Sequence, residues 1–169
     1  MKKYKYLVNT FLNEDSGLNP VQLRGEIESD SKENAIIKLI ENGVVYAKGY
    51  EFLDLDEIDY KDELIQYIII NKDLNMSPGK VASQVGHVCT ICAMNSSHEE
   101  KFDDWYRHIQ KKVILQARQN VLEKLCDRYY PVRDIGCNEV QPNSLTAVRL
   151  GIMTRKEAEP IVKRLQLYK

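Results

Sequence analysis

The sequence predicts an α/β sandwich built on a mixed or parallel sheet, preceded by a small acidic module of β-β-α-β order. Three observations carry that prediction. After about residue 64, short apolar runs alternate with segments of helical period, which is how strands and crossover helices read. Before it, two strand-like segments flank a turn-rich loop and are followed by one helix and one strand. The charge also changes sign: residues 1–66 hold 8 Lys and Arg against 14 Asp and Glu, while residues 67–169 hold 16 against 11. The second part is therefore the one suited to a polyanion.

In the first part, Tyr4 to Phe11 has the aromatic and β-branched content of a strand, and Val21 to Ile27 alternates as a second. Residues 13–20 are rich in turn formers, so the two read as a hairpin. Asp30 to Gly43 reads as a helix, with Asp30 as cap, Glu33 three residues later and Gly43 as stop. Val44 to Leu55 returns as a strand. The acidic run from Asp54 to Glu63 lacks the glycine and closing glutamate of a calcium loop and reads as a solvated linker, so the modules divide into residues 1–60 and 66–169.

The second part opens on Tyr67-Ile-Ile-Ile70, a buried strand, then Ser77-Pro78, an N-cap followed by proline at the first helical position. In the helix that follows, Lys80, Gln84 and His87 share a polar stripe, while Val81, Val85, Val88, Cys89, Cys92 and Ala93 supply the apolar surface. A cation beside free helix N–H groups suggests an anion site. It is not a nucleotide P-loop, because Gly79-Lys80 is followed by Val81 and no glycine lies five residues before Gly79. A short helix from Glu99 to His108 carries Phe102, Trp105 and Tyr106. Lys111 to Ala117 reads as a strand, Gln119 to Arg128 as a helix, Tyr130 to Gly136 as a strand and Leu145 to Ile152 as a fourth. The last helix starts near Thr154, where Thr154 and Glu157 have capping-box spacing although Pro160 follows.

Composition narrows the class. With 43% hydrophobic and 29% charged residues the chain reads as an ordinary globular protein. No stretch approaches a membrane span and the start lacks a signal-peptide hydrophobic region, so a cytoplasmic location is expected. The four cysteines, 89, 92, 126 and 137, do not form a disulfide framework. Cys89-Thr-Ile-Cys92 lies well inside the helix and reads as core, and His87, His98 and His108 repeat no zinc spacing. No metal is expected.

Polar residues gather where open α/β sheets place ligands, at strand ends: Lys80 opens a helix, Asp134 closes a strand, and Asn138, Ser144 and Thr146 follow. In this setting the chain resembles the type 2 peptidyl-tRNA hydrolases. The resemblance is carried, in order, by Met76-Ser-Pro-Gly-Lys-Val-Ala-Ser-Gln-Val-Gly-His87, Lys111-Lys-Val-Ile-Leu-Gln-Ala117, Asp134-Ile-Gly-Cys-Asn138, Gln141-Pro-Asn-Ser-Leu-Thr146 and Leu165-Gln-Leu-Tyr168. It spans residues 66–169 and leaves the N-terminal module outside. It implies a three-layer sandwich with a four-stranded mixed sheet, and hydrolysis of the ester between a peptide and the 3′-terminal ribose of tRNA, with no cofactor. Lys80, Asp134 and Thr146 match the family's active-site positions, and Asn138 stands where the family usually carries threonine. Asn143 replaces the usual glycine of the following turn, and the segment between Ala117 and Tyr130 is short.

Ester hydrolysis needs a positioned water and a stabilised oxyanion. Lys80 is expected as a fixed cation, and Asp134 as an orienting carboxylate. Thr146 and Asn138 would place the ester or the water. Gln84, Ser144, Lys111, Lys112, Arg133 and Arg149 are the candidate substrate contacts, the cations for tRNA phosphates. The other reading is a non-catalytic relative that binds tRNA or protein on the same fold. A homodimer and a partner for the N-terminal module are left open.

Overall fold

A computed structural model describes residues 1–10, 21–45, 50–58, 62–108, 110–136 and 138–169. The chain divides into two compact units. One comprises Met1–Glu63 with Asp104–Gln110, the other Leu64–Asp103 with Lys111–Lys169.

The first unit is an antiparallel sheet of β1 (Lys2–Thr10), β2 (Val21–Ser29) and β3 (Tyr50–Ile58) in the order β2-β1-β3, with the helix α1 (Lys32–Glu41) on one face. Alternate β1 residues Tyr4, Tyr6 and Val8 bury against Ala35 and Leu39 of α1 and against Val45 and Leu55. Gly25 pairs with Tyr6 across the strands, and a Cβ there would meet the Tyr6 ring. The opposite side chains of β1 begin with two lysines, ahead of the buried Leu7. Lys3 pairs with Glu26 and Glu63, and Lys5 with Asp104 at 2.7 Å.

Two expectations change here. The cap of α1 is Ser31, whose side chain accepts the Asn34 N–H, while Asp30 accepts from the Asn34 side chain. The acidic run is not a free linker through its length: residues 54–58 belong to β3, paired along β1, and Glu63 is buried on Lys3. The alternation Leu53-Asp54-Leu55-Asp56 in the sequence suits a half-exposed strand as well as a linker. The expected turn over residues 13–20 lies outside the described residues, as do residues 46–49 of the strand expected from Val44 to Leu55.

The second unit is a three-layer α/β sandwich. Its mixed sheet has the order β6-β7-β4-β5-β8, with β4 (Leu64–Asn71), β5 (Lys112–Ala117), β6 (Tyr130–Arg133), β7 (Leu145–Thr154) and a two-residue edge β8 (Gln166–Leu167). The four expected strands are its body, and β8 is an addition. β4 runs parallel to β5 and antiparallel to β7, so β4 is central and Ile65, Ile68, Ile69 and Ile70 are all buried. One face packs Tyr67, Ile69 and Val148 against Leu122 of α4 (Gln119–Leu125) and Ala158 of α5 (Arg155–Val162). The other packs Ile68, Ile70 and Ala147 against Val81 and Val88 of α2 (Pro78–Ser96). The Thr154 and Glu157 capping box is formed, and Pro160 sits near the end of the eight-residue α5. In α3 (Glu100–Arg107), Trp105 is buried and Tyr106 exposed.

No helix among the described residues is long and apolar enough to cross a membrane. Cys92 is buried in α2, and Cys89 is half-buried with its thiol toward Gln66 Oε1 at 3.5 Å. Burial pushes both thiols up from their ordinary range.

Candidate active site

The start of one helix and the loop joining β6 to β7 meet at the strand ends of the second unit's sheet. After the 3-10 turn Lys72–Leu74, α2 begins with Ser77 as cap, its hydroxyl accepting the Lys80 N–H at 3.2 Å. Serine supplies the acceptor and Pro78 spares an N–H that would have no partner. This puts Lys80 in the first turn, its ammonium turned toward the end of β6.

There the chain makes a tight loop. Asp134 Oδ1 accepts the Gly136 N–H at 2.8 Å, and the Asp134 backbone is held on both sides, by Ser144 O and by the Asn143 N–H. Gly136 has φ +80°, and a Cβ on it would overlap the Pro142 ring nitrogen and Cα, so the loop demands glycine. Asn143 also takes a positive φ, 66°, which asparagine tolerates better than most residues.

The free carboxylate oxygen gathers the rest of the site. Asp134 Oδ2 lies 2.6 Å from Lys80 Nζ and accepts Gln84 Nε2 at 2.7 Å. Gln84 Oε1 in turn accepts the Thr146 hydroxyl at 2.6 Å, and Thr146 Oγ1 also lies 3.1 Å from Val132 O. With one proton, that hydroxyl donates to either oxygen or is shared between them. A chain of polar groups thus runs from Lys80 through Asp134 and Gln84 to Thr146, linking α2, the β6 end and the β7 start. The Lys80 and Asp134 side chains are 14% and 8% exposed, and Gln84 and Thr146 are buried, so the chain is sheltered but open at the ion pair. The Lys80 ammonium's hydrogen bond, then the Gly136 N–H and Gln84, hold the Asp134 carboxyl below its ordinary range. It is an ionised acceptor with three donors already aimed at it.

Of the sequence-predicted residues, Lys80, Gln84, Asp134 and Thr146 come together. Whereas His87 is exposed, Gln84, read with it and Lys80 as one polar stripe, is buried. It lies on the buried line Val81, Gln84, Val88, Cys92, whose spacing of three and four was visible in the sequence. Ala93, expected to be apolar packing, is exposed. Ser144 shapes the loop, its hydroxyl donating to Gln141 O at 2.7 Å. Arg133 is exposed and donates to Asn143 O at 2.9 Å. Asn138 is exposed, and its side chain has no hydrogen bond among the described residues. Lys111 and Lys112 lie at the start of β5, which pairs Lys112 with Gln66, whereas the site is at the other end, where Ala117 pairs with Asn71. Arg149 reaches the Ile91 carbonyl of α2 and lies 5.5 Å from the Tyr130 ring, engaged within the fold rather than at the site.

One residue was missed. Glu139 accepts the Ser77 N–H at 2.9 Å and the Ser77 hydroxyl at 2.5 Å, and those two donors, the hydroxyl first, hold its carboxyl below the ordinary range. The expected anion site at the start of α2 is therefore filled by the protein's own carboxylate. Nothing local marks this, since the partners stand 62 positions apart.

No group of three or more His, Cys, Asp or Glu suited to a metal is found among the described residues. The site's donors are one ammonium, two amides and a hydroxyl around one carboxylate, which can orient water and stabilise negative charge.

Residues 64–168 match the family model described as peptidyl-tRNA hydrolase PTH2. The chain is similar to a peptidyl-tRNA hydrolase of Thermoplasma volcanium, 31% identical over 94 residues, half of this chain and 80% of the relative. It is 32% identical to one from Staphylothermus marinus over 62% of this chain and 95% of the relative. For one from Nanoarchaeum equitans the values are 29%, with 62% of this chain and all of the relative covered. All of the loops that build the ion-pair site fall inside the matched stretch, and on that match the chain belongs to the peptidyl-tRNA hydrolase PTH2 family.

Proposed function

We propose that this protein hydrolyses the ester joining a peptide to the terminal ribose of tRNA, releasing the peptide and free tRNA for translation. The observation that carries the reading is the hydrogen-bonded chain Lys80, Asp134, Gln84, Thr146 at the open edge of the sheet. Water attacks the carbonyl carbon, the bond to the ribose oxygen breaks, and the water's protons end on the ribose oxygen and in solvent. Asp134 accepts a hydrogen bond from the attacking water and orients it. Being held ionised, it is a poor proton acceptor until the water's charge develops. The Lys80 ammonium, with donors beyond the one spent on Asp134, faces the oxyanion that forms on the carbonyl oxygen. Gln84 is a positioning residue, fixing the carboxylate through Nε2 while Thr146 fixes its amide.

Asn138, exposed within the Asp134–Ser144 loop, is assigned to hydrogen-bond the ester or the ribose, with Ser144 and Arg133 shaping the rim. Lys111 and Lys112 would meet the tRNA body away from the ester. Residues 1–60 are read as a separate accessory module, and the cytoplasm as the place of action, in keeping with the substrate.

The test is release of peptide from purified peptidyl-tRNA by the full-length protein beside Lys80→Ala and Asp134→Asn. Release by the wild type, with a loss of about 10²-fold or more in each variant, is the expected result. Variants with wild-type rates would overturn the site. A second reading, a non-catalytic tRNA-binding relative, draws on Asn138 standing in a threonine position. It requires a wild type that retains tRNA without cleaving it, and an Asn138→Thr variant that cleaves.

A further inference from the structure

A cavity of about 250 Å³ opens beside the start of α2, at the ends of β4 and β5, and neither Lys80 nor Asp134 lines it. Its floor is Ile70 and Val81, one wall is Tyr168, and Lys72, Gln116 and Lys169 stand around it. Val81 directly follows Lys80 in the first turn of α2, so the cavity and the ion pair flank one helix end.

The lining is specific in chemistry. Ile70 and Val81 are buried and give an apolar base. The Tyr168 backbone is tied to the sheet, its N–H donating to Ile114 O at 3.0 Å, and its ring packs against the same apolar cluster, so an aromatic face is held in place. Lys72 is exposed and has no partner among the described residues. The nearest carboxylate along the chain, Asp73, turns its Oδ2 to the Gln119 N–H at 2.9 Å and forms no ion pair with Lys72. Gln116 spends its amide N–H on Leu167 O at 3.2 Å, leaving its carbonyl oxygen as an acceptor for a donor on a ligand. Cations, an aromatic wall, an apolar floor and one directed acceptor fit a nucleotide: phosphate to the lysines, base against the tyrosine. An apolar peptide side chain would have no use for the lysines.

We propose that this cavity binds the terminal nucleotide of the tRNA 3′ end and so presents the ester to Lys80 and Asp134. The inference rests on the hydrolase reading, since the scissile ester joins that nucleotide to the peptide. It places the nucleotide beside the first turn of α2, next to the ion pair.

The experiment uses the full-length protein with adenosine 5′-monophosphate as probe, followed by backbone and side-chain NMR, together with steady-state cleavage of peptidyl-tRNA. The expected result is a saturable shift of the Lys72, Gln116 and Tyr168 signals. Lys72→Ala and Tyr168→Leu should then raise KM about tenfold while kcat stays within about twofold, stacking and phosphate contacts being of that order. Lys72→Ala is a surface change and keeps the test open should Tyr168→Leu fail to fold. Unshifted signals, an unchanged KM in Lys72→Ala, or displacement of those signals by N-acetylphenylalanine in place of the nucleotide would each overturn the proposal. The two readings separate. Cleavage by a wild type whose cavity ignores the nucleotide removes the subsite and leaves the hydrolase. Nucleotide binding and Lys72-dependent tRNA retention without cleavage keep the subsite and remove the hydrolase.

Discussion

Thr146 and Asp134 make different demands on the same amide. Gln84 must present its oxygen to Thr146 and its nitrogen to Asp134, and only the Thr146 hydroxyl and the Asp134 carboxylate make that orientation better than the reverse. Thr146→Val keeps the shape and removes the donor. A buried amide oxygen then loses its partner, which costs about 1–3 kcal/mol in a denaturation curve. It should lower kcat more than KM, because what is lost is the aim of the carboxylate and not a substrate contact. Asp134 also sets a pH dependence. Its pKa is lowered in the folded protein by Lys80, Gly136 and Gln84, so the stabilisation is present above the ordinary aspartate value of 3.8 and is lost as pH falls through the folded value. Denaturation between pH 7 and pH 3 should therefore show a stability decline at the acid end that is shallower in Asp134→Asn. The acid limb of kcat/KM should likewise lie below that ordinary value. Lys80, Asp134 and Thr146 were legible through the family resemblance. The burial of Gln84 was legible only from its spacing between Val81 and Val88.

The loop from Asp134 to Ser144 is the least forgiving element. Its conformation is fixed by the Gly136 N–H on Asp134 Oδ1 and by the close approach of Gly136 to Pro142. Gly136→Ala must move Pro142 or abandon the positive φ, and either withdraws a donor from the carboxylate. We expect a loss of more than about 1 kcal/mol in stability and a fall in kcat, measured by urea denaturation and by peptide release. The start of α2 was readable because a serine cap and a following proline are local chemistry. Its closure by Glu139 was not, because a carboxylate in a loop carries no sign of the distant N–H it will meet. The cap of α1 shows the same limit at shorter range: Asp30 and Ser31 are adjacent, both able to cap, and the geometry of the turn chose Ser31.

Across the molecule, the order of strands and helices was written in local periodicity, whereas the grouping of residues 104–110 with the N-terminal sheet was not. That grouping includes the pair Lys5 and Asp104, 99 positions apart, and no local pattern records such a partner. Net charge is the one whole-molecule property readable from the sequence that makes a quantitative demand on function. If the cation excess of residues 67–169 meets tRNA phosphates, kcat/KM must fall with salt, each contact contributing about −0.7 to the slope of its logarithm against the logarithm of salt concentration. Lys72 and Lys112 are exposed, so replacing either with alanine should reduce the slope by about that amount. Arg149 carries the same charge but is held between the Ile91 carbonyl and the Tyr130 ring, so Arg149→Ala should lower Tm and leave the slope as it was. Cleavage rates measured from low to high potassium chloride in these three variants distinguish a charge that meets RNA from one that holds the fold. A flat wild-type profile would refute the polyanion contact altogether.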